Sequence, residues 1–129
     1  MRAYLAGPMR GIPDFNFPEF LAVEKKLLEL LPGSEIFNPA QRDIDVYGGF
    51  EKFRSATGDL EEIPWFDLAT AMRVDLDYII HHATHIVMLP GWSRSSGAQH
   101  ELATARLVGL EVTFWNGSDL QYLPQADDA

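Results

Sequence analysis

The chain has 129 residues, 47% of them apolar and 22% charged, which is the size and composition of one globular domain. Its net charge is −9 and its ten basic residues are scattered, which argues against binding to long nucleic acid or to an anionic membrane. The absence of cysteine excludes disulfides, thiolate metal sites and a cysteine nucleophile. No apolar run approaches a bilayer span and the opening segment is too short for a signal peptide, so we expect a cytoplasmic protein.

The first part of the chain predicts two strands around one helix. Residues 2–6 form a short buried strand that is followed by a loop at 9–16. Asn16, with Glu19 three residues later, predicts a capping box at the start of a helix. The apolar stripe of this helix consists of Phe20, Val23, Leu27, Leu30 and Leu31. Pro32-Gly33 ends the helix, and a second strand follows at 35–37.

Residues 40–66 have no regular pattern, because glycines and Pro64 interrupt every run. A loop of this length in a compact domain is often functional, so a lid or a contact with a partner is one interpretation. The other is an irregular excursion that packs on the domain or on another subunit.

The second part of the chain predicts two further pairs of helix and strand, followed by a tail. The elements are a helix capped by Asp67 and ending near His81, a strand at 84–89, a helix at 96–108 and a strand at 110–114. Leu68, Met72, Leu76 and either Ile79 or Ile80 face inward on the first of these helices. Ser96, with Gln99 three residues later, starts the second helix, and we expect the tail at 116–129 to fray.

The alternation of strands and helices predicts an α/β fold in one domain over residues 1–129. We expect a doubly wound, flavodoxin-like (Rossmann-like) sandwich with a parallel sheet of four to five strands. Ligands of such sheets bind at the carboxyl ends of the strands, where the strand order reverses. The loops at 7–16 and 90–96 follow the first and third strands, and we therefore expect the functional site there.

The segment Gly91-Trp-Ser-Arg-Ser-Ser-Gly97 leads directly into a predicted helix. Free backbone N–H groups, three hydroxyls and Arg94 suit one phosphate. The segment lacks the Gly-Lys-Ser/Thr ending of a P-loop, and an ordinary serine-capped helix is the alternative.

Glu101 lies in the second turn of that helix, with Gly97 and Ala105 one turn away on either side. Such small neighbours leave space for a ring, although an isolated helical glutamate is usually a surface residue. Asp75 and Asp77 supply the second carboxylate that N-glycoside chemistry needs, or belong to a solvated helix face.

His81, His82 and His85 suggest a metal site, but their positions argue against one. The first two fall at a helix C-terminus, where imidazole suits the helix dipole, and His85 belongs to the next strand. We expect no metal and no Ser-His-Asp triad.

Three motifs carry a family resemblance. Tyr4-Leu-Ala-Gly-Pro8 followed by Asn16 resembles the opening of the nucleoside 2-deoxyribosyltransferase family, and Asp75 stands where that family keeps an aspartate. Ser95-Ser-Gly-Ala-Gln-His-Glu101 resembles the segment that ends in the family's nucleophilic glutamate. The segments 5–11, 89–92 and 96–101 more closely resemble a phage and bacterial branch of uncharacterised domains. The resemblance covers nearly the whole chain, except about 40–66 and the tail.

The resemblance implies a mechanism in which Glu101 attacks C1′ of a deoxyribosyl group, Tyr4 orients the Glu101 carboxylate and Asp75 shuttles a proton to the base. It implies no cofactor, and it implies a homodimer or larger homo-oligomer, in the host cytoplasm if the chain is phage-encoded. The substrate-binding residues that we predict are Gly7, Pro8, Met9, Arg10 and Asn16 in the first loop, and Gly91, Trp92, Ser93, Arg94, Ser95, Ser96 and Gly97 in the second.

One departure from the family concerns the substrate. The transferases that act on free nucleosides have an aspartate six residues before the nucleophile, and this chain has Ser95, as the similar deoxynucleotide N-hydrolases do. Serine accepts a 5′-phosphate that aspartate would repel, so we expect a (deoxy)nucleoside 5′-monophosphate as substrate. The alternatives are a nucleotide-binding protein without turnover and an N-glycosidase of another ligand, such as a nicotinamide dinucleotide.

Overall fold

The sheet lies between two layers of helices because its central strands are apolar on both faces. In the first strand, Ala3 and Leu5 join one buried cluster, whereas Tyr4 and Ala6 join the other. This alternation follows from the two-residue period of a strand. Strands buried on both faces are typical of a doubly wound parallel sheet.

The computed structural model describes residues 1–122. The strands are β1 (Arg2–Ala6), β2 (Glu35–Phe37), β3 (His85–Met88), β4 (Glu111–Trp115) and β5 (Leu120–Gln121). The helices are α1 (Phe17–Leu30), α2 (Pro39–Tyr47), α3 (Leu68–His81) and α4 (Ser96–Leu107). None of the helices in this part of the chain is long and apolar enough to span a membrane.

The strand order is β2-β1-β3-β4-β5, and β1 to β4 are parallel. This order confirms the predicted doubly wound fold, with its reversal point between β1 and β3. The fifth strand differs from the prediction, because β5 runs antiparallel to β4 and pairs Leu120 with Trp115. Part of the predicted tail therefore closes the sheet edge, and residues 123–129 of that tail lie outside the described residues.

The capping box predicted at the start of α1 is wrong. Asn16 does precede the first helical residue, but its backbone is left-handed and its side chain caps no N–H group. Instead, its amide nitrogen donates to the Pro8 carbonyl and to the Glu19 carboxylate, each at 2.9 Å. The tertiary contact with the loop after β1 replaces the local cap.

Residues 40–66 are more regular than the sequence predicts. Asn38 caps α2 through its side-chain oxygen, which accepts from the N–H groups of Ala40 and Gln41. Short 3-10 helices follow at Phe50–Phe53 and Leu60–Glu62, and the buried apolar side chains of this segment, Ala40, Phe53 and Ile63, join the hydrophobic cluster that includes the buried residues of α1. The segment is therefore a packed part of the domain.

Two side chains predicted to face inward are exposed in the structure: Leu30 and Met72. Of the two alternatives given at the end of α3, Ile79 is buried and Ile80 is exposed. The buried residues of α3 are Ala71, Tyr78 and Ile79. The apolar residues on α3 outnumber the positions that face the sheet, so periodicity alone does not identify all the buried ones.

Candidate functional site

Tyr4 places a phenol hydroxyl on the face of the sheet that packs against α3 and α4. The residue lies in the middle of β1 and its side chain is fully buried among residues of α3 and α4. Its ring stacks on Phe37 of β2, with 5.5 Å between the ring centroids. The hydroxyl is therefore fixed in position by the packing of the ring.

Glu101 meets this hydroxyl from α4. The Tyr4 hydroxyl donates a hydrogen bond of 2.5 Å to Oε2 of Glu101. The neighbours one turn away, Ala98 and Ala105, are small and buried. The pKa of the Glu101 carboxyl is raised to about 8: burial is the main cause, the bond from Tyr4 acts against it, and the negative charge of Asp75 adds to it.

Asp75 belongs to the same cluster from the side of α3. Its carboxyl is close enough to Tyr4 and Glu101 to influence the pKa of each. Oδ1 of Asp75 is buried and, among residues 1–122, has no hydrogen-bond partner. Asp77, the other carboxylate considered on this helix, is 60% exposed and lies near His81 and His82. The structure therefore brings Asp75, and not Asp77, to Glu101.

The sequence did not reveal a further acidic residue, Asp43, that acts on Asp75 from α2. Asp43 is buried, and its Oδ1 lies 3.0 Å from an Nη1 donor of the adjacent Arg42. The pKa of Asp75 is raised to about 7: burial is the main cause and the charge of Asp43 adds to it, whereas Arg42 and the Tyr4 hydrogen bond lower it. The sequence signal that could have revealed α2, and with it the position of Asp43, is Asn38 followed by Pro39, because an asparagine cap before a proline is typical of the start of a helix.

The loops after β1 and β3 lie against each other, because the two strands are parallel neighbours and end at the same edge of the sheet. A Cβ atom added at Gly91 would lie 3.1 Å from Cγ of Pro8 and 3.2 Å from Nη2 of Arg94. A Cβ atom at Gly7 would lie 2.8 Å from Cβ of Leu89. Both glycines therefore permit the close approach of the two loops.

The remaining residues predicted to bind substrate have different surroundings. Met9 packs against the cluster under α1, and Trp92 packs on Phe114 with its indole Nε1 buried and unpartnered among the described residues. Arg10 lines a surface pocket of about 360 Å³ with residues 57–60. The carbonyl of Ser93 accepts from the Gln99 side chain.

The first turn of α4 is capped by Ser95. Oγ of Ser95 accepts a hydrogen bond of 3.2 Å from the Ala98 N–H group, so the cap lies one residue before Ser96, which begins the helix. Ser96 and Arg94 are exposed, and Gly97 is half-buried.

The comparisons with known proteins place the chain in one family. The family described as "Domain of unknown function (DUF4406)" matches residues 1–114. The chain belongs to this family. No curated protein and no solved structure matches the chain. The matched residues include Tyr4, Asp75 and Glu101, so the candidate site lies entirely within the DUF4406 domain.

Among the described residues 1–122, no three His, Asp or Glu side chains are grouped so that they could hold a metal ion. The three histidines at the end of α3 and the start of β3 lie near carboxylates of other residues. Nε2 of His85 lies 3.1 Å from Glu111, and His81 and His82 lie within 4 Å of Asp77. The side chains that the structure brings together at the candidate site are two carboxyl groups and one phenol.

Three carboxyls, of which Asp43 is buried and Asp75 and Glu101 are half-buried, give a prediction for stability. Asp43, Asp75 and Glu101 have pKa values raised to about 6, 7 and 8, mainly by burial. The folded chain therefore binds protons more tightly than the unfolded chain, and its stability falls as pH rises through these values. We expect the free energy of unfolding to fall by several kcal/mol between pH 5 and pH 9, since each pKa unit corresponds to about 1.4 kcal/mol, as measured by urea denaturation.

A variant separates this effect from the general repulsion of an acidic protein. Glu101→Gln removes one of the three titrating groups and should reduce the decline, whereas Glu29→Gln, at an exposed position of α1, should keep the decline of the wild type. An identical decline in all three proteins would contradict the interpretation.

Proposed function

We propose that the chain cleaves or exchanges the N-glycosidic bond of a (deoxy)nucleoside 5′-monophosphate through a covalent glycosyl intermediate on Glu101. The observation that carries the proposal is the contact between Tyr4 and Glu101 at 2.5 Å, with the carboxyl of Asp75 beside the same hydroxyl. Two carboxyls in different surroundings are what a double displacement at a sugar carbon needs.

In the first step, a carboxylate oxygen of Glu101 forms a bond to C1′ of the sugar. The bond between C1′ and the base nitrogen breaks, its electron pair stays on the base, and Asp75 supplies the proton that neutralises it. In the second step, a nitrogen of another base or a water molecule attacks C1′ and returns Glu101 to a carboxylate. The proton lost by this nucleophile returns to Asp75.

The proposed roles need one proton shared between the two carboxyls. Burial and the negative charge of Asp75 raise the pKa of Glu101 to about 8, above the value of about 7 at Asp75, so in the free protein Glu101 holds a proton more tightly than Asp75 does. The proposed reaction therefore requires that this proton pass from Glu101 to Asp75 before the attack on C1′, which leaves Glu101 as the nucleophile and Asp75 as the acid. The Tyr4 phenol, whose pKa is raised by burial and by the two carboxyls, stays protonated and donates to Glu101.

The surroundings of Ser95 support a 5′-phosphate on the substrate. Ser95 stands at the N-terminus of α4, where backbone N–H groups and the helix dipole favour an anion. The exposed guanidinium of Arg94 adds donors that suit phosphate. An aspartate at position 95 would place a negative charge at this point.

The proposal predicts a preference that chromatography of the products can measure. Incubation with deoxynucleoside 5′-monophosphates, with and without an acceptor base, should release or exchange the base. We expect kcat/KM at least about tenfold above that of the matching deoxynucleoside, since a charged hydrogen bond contributes on the order of 1.5–3 kcal/mol. Ser95→Asp should remove the preference and keep the fold, because aspartate is as good an N-cap as serine. Equal turnover of both substrates would contradict the assignment of the phosphate.

A further inference from the structure

The loop between β1 and α1 holds three consecutive residues in a backbone conformation that favours glycine. Asp14, Phe15 and Asn16 have φ values of 55°, 55° and 61°. A left-handed conformation costs free energy for any residue with a Cβ atom, and it persists only where the surroundings fix it. Contacts elsewhere in the chain must therefore hold this bend.

Residues 54–58, which we call the strap, supply those contacts. The N–H group of Asp14 donates to the Ser55 carbonyl at 2.7 Å, and the Ser55 N–H group donates to Oδ1 of Asp14 at 2.8 Å. Nε of Arg54 lies 3.2 Å from Oδ2 of Asp14. The N–H group of Gly11 donates to the Gly58 carbonyl at 2.9 Å, so the strap binds the loop at two places.

The strap itself is shaped for close contact with the loop. Ser55 is buried, and its Oγ accepts from the Gly58 N–H group at 2.8 Å. A Cβ atom at Gly58 would lie 2.2 Å from the Ile12 carbonyl oxygen and 2.5 Å from the Ile12 nitrogen. Only glycine allows the two backbones to approach this closely, and the φ of 69° at Gly58 adds to this requirement.

The bend determines where the first site loop points. Asn16, at the end of the bend, donates to the carbonyl of Pro8, and Pro8 lies against Gly91 of the second site loop. A change in the bend therefore reaches Pro8 through one hydrogen bond.

We propose that the strap is a positioning element for the substrate loop, and that Asp14 is the residue through which it acts. The inference rests on the proposed function, because it assumes that the loop at 7–16 binds the nucleotide. Its consequence is that a substitution remote from Glu101 changes nucleotide affinity and leaves the chemical step intact.

Two substitutions at one position test the proposal. Asp14→Asn keeps the Oδ1 acceptor for Ser55 and tolerates left-handed φ, whereas Asp14→Ala loses both. The Gly11 amide donates to the Gly58 carbonyl of the strap, so its rate of hydrogen exchange reports directly whether the strap holds the loop. We expect Asp14→Ala to speed this exchange about tenfold or more and to raise KM for a nucleoside monophosphate roughly three- to tenfold, with kcat changed less than about twofold. Asp14→Asn should stay close to the wild type in exchange and KM, because it loses only the ion pair with Arg54, whose side chain is 59% exposed.

The other outcomes each have a definite meaning. Unchanged Gly11 exchange in Asp14→Ala would overturn the proposal, and so would faster exchange with unchanged nucleotide affinity. If the wild type releases no base, the proposed function fails. The positioning role is then tested by calorimetry, which compares the affinity of the wild type, Asp14→Ala and Asp14→Asn for the same nucleotide. A wild type that binds no nucleoside monophosphate would overturn both.

Discussion

Glu101→Gln is expected to release base from a deoxynucleoside monophosphate at least about a thousandfold more slowly than the wild type. Glutamine has the size of glutamate and can still accept the hydrogen bond from Tyr4, but its neutral amide cannot form a stable bond to C1′. The loss should appear in kcat, because the substitution removes an interaction with the reacting carbon and leaves the binding loops unchanged. Initial rates of base release measured by chromatography check this expectation.

Two controls make the result specific. Glu29→Gln, at an exposed position of α1, should keep the rate of the wild type. Glu101→Gln should remain folded, and at pH 8 it should be at least as stable as the wild type, because a buried carboxyl that resists ionisation has been removed. A folded Glu101→Gln variant that still releases base at the wild-type rate would contradict the role of Glu101.

Asp75→Asn is expected to lower kcat by about a hundred- to ten-thousandfold, through loss of the proton that the departing base requires. The deficit should depend on the leaving group. A purine methylated at N7 already carries a positive charge and leaves without a proton, so its release should be much less affected in Asp75→Asn. The same substrate should not rescue Glu101→Gln, because the nucleophile is still missing.

Asp77→Asn is the matched control for Asp75→Asn. It makes the same chemical change two residues later on α3, but Asp77 is 60% exposed and faces His81 and His82. We expect rates near those of the wild type. An equal deficit of Asp75→Asn with neutral and with methylated bases would exclude proton transfer as the role of Asp75.

The central architecture could be predicted because it depends on local patterns. The strands β1 and β3 are short apolar runs bounded by glycine or proline, and the strand order follows from the crossover rule once helices separate the strands. Tyr4 could be placed among the apolar residues of β1, and Glu101 on a helix that starts at the sheet's carboxyl edge. The resemblance joined Tyr4, Asp75 and Glu101, which the structure places in one cluster.

The parts that were missed depend on contacts between distant residues. The left-handed conformation of Asp14 and Phe15 has no local signal, since it is held by the strap some forty residues later. Asn16 has the composition of a helix cap, but its side chain satisfies the Pro8 carbonyl instead. Asp43 lies on the short helix α2, which ends at Gly48 and is too short for a clear apolar period in the sequence. Only the tertiary packing shows that Asp43 is buried beside the site.

The covalent intermediate is the most direct test of the account. The wild type would be quenched in acid during turnover of a deoxynucleoside monophosphate without an acceptor base, then digested and mapped by mass spectrometry. The account predicts one peptide that carries an added deoxyribosyl phosphate, with the modification on Glu101, and its absence in Glu101→Gln. Base release from the wild type with an adduct on another residue, or with solvent oxygen entering C1′ with inversion of configuration, would contradict a nucleophilic Glu101.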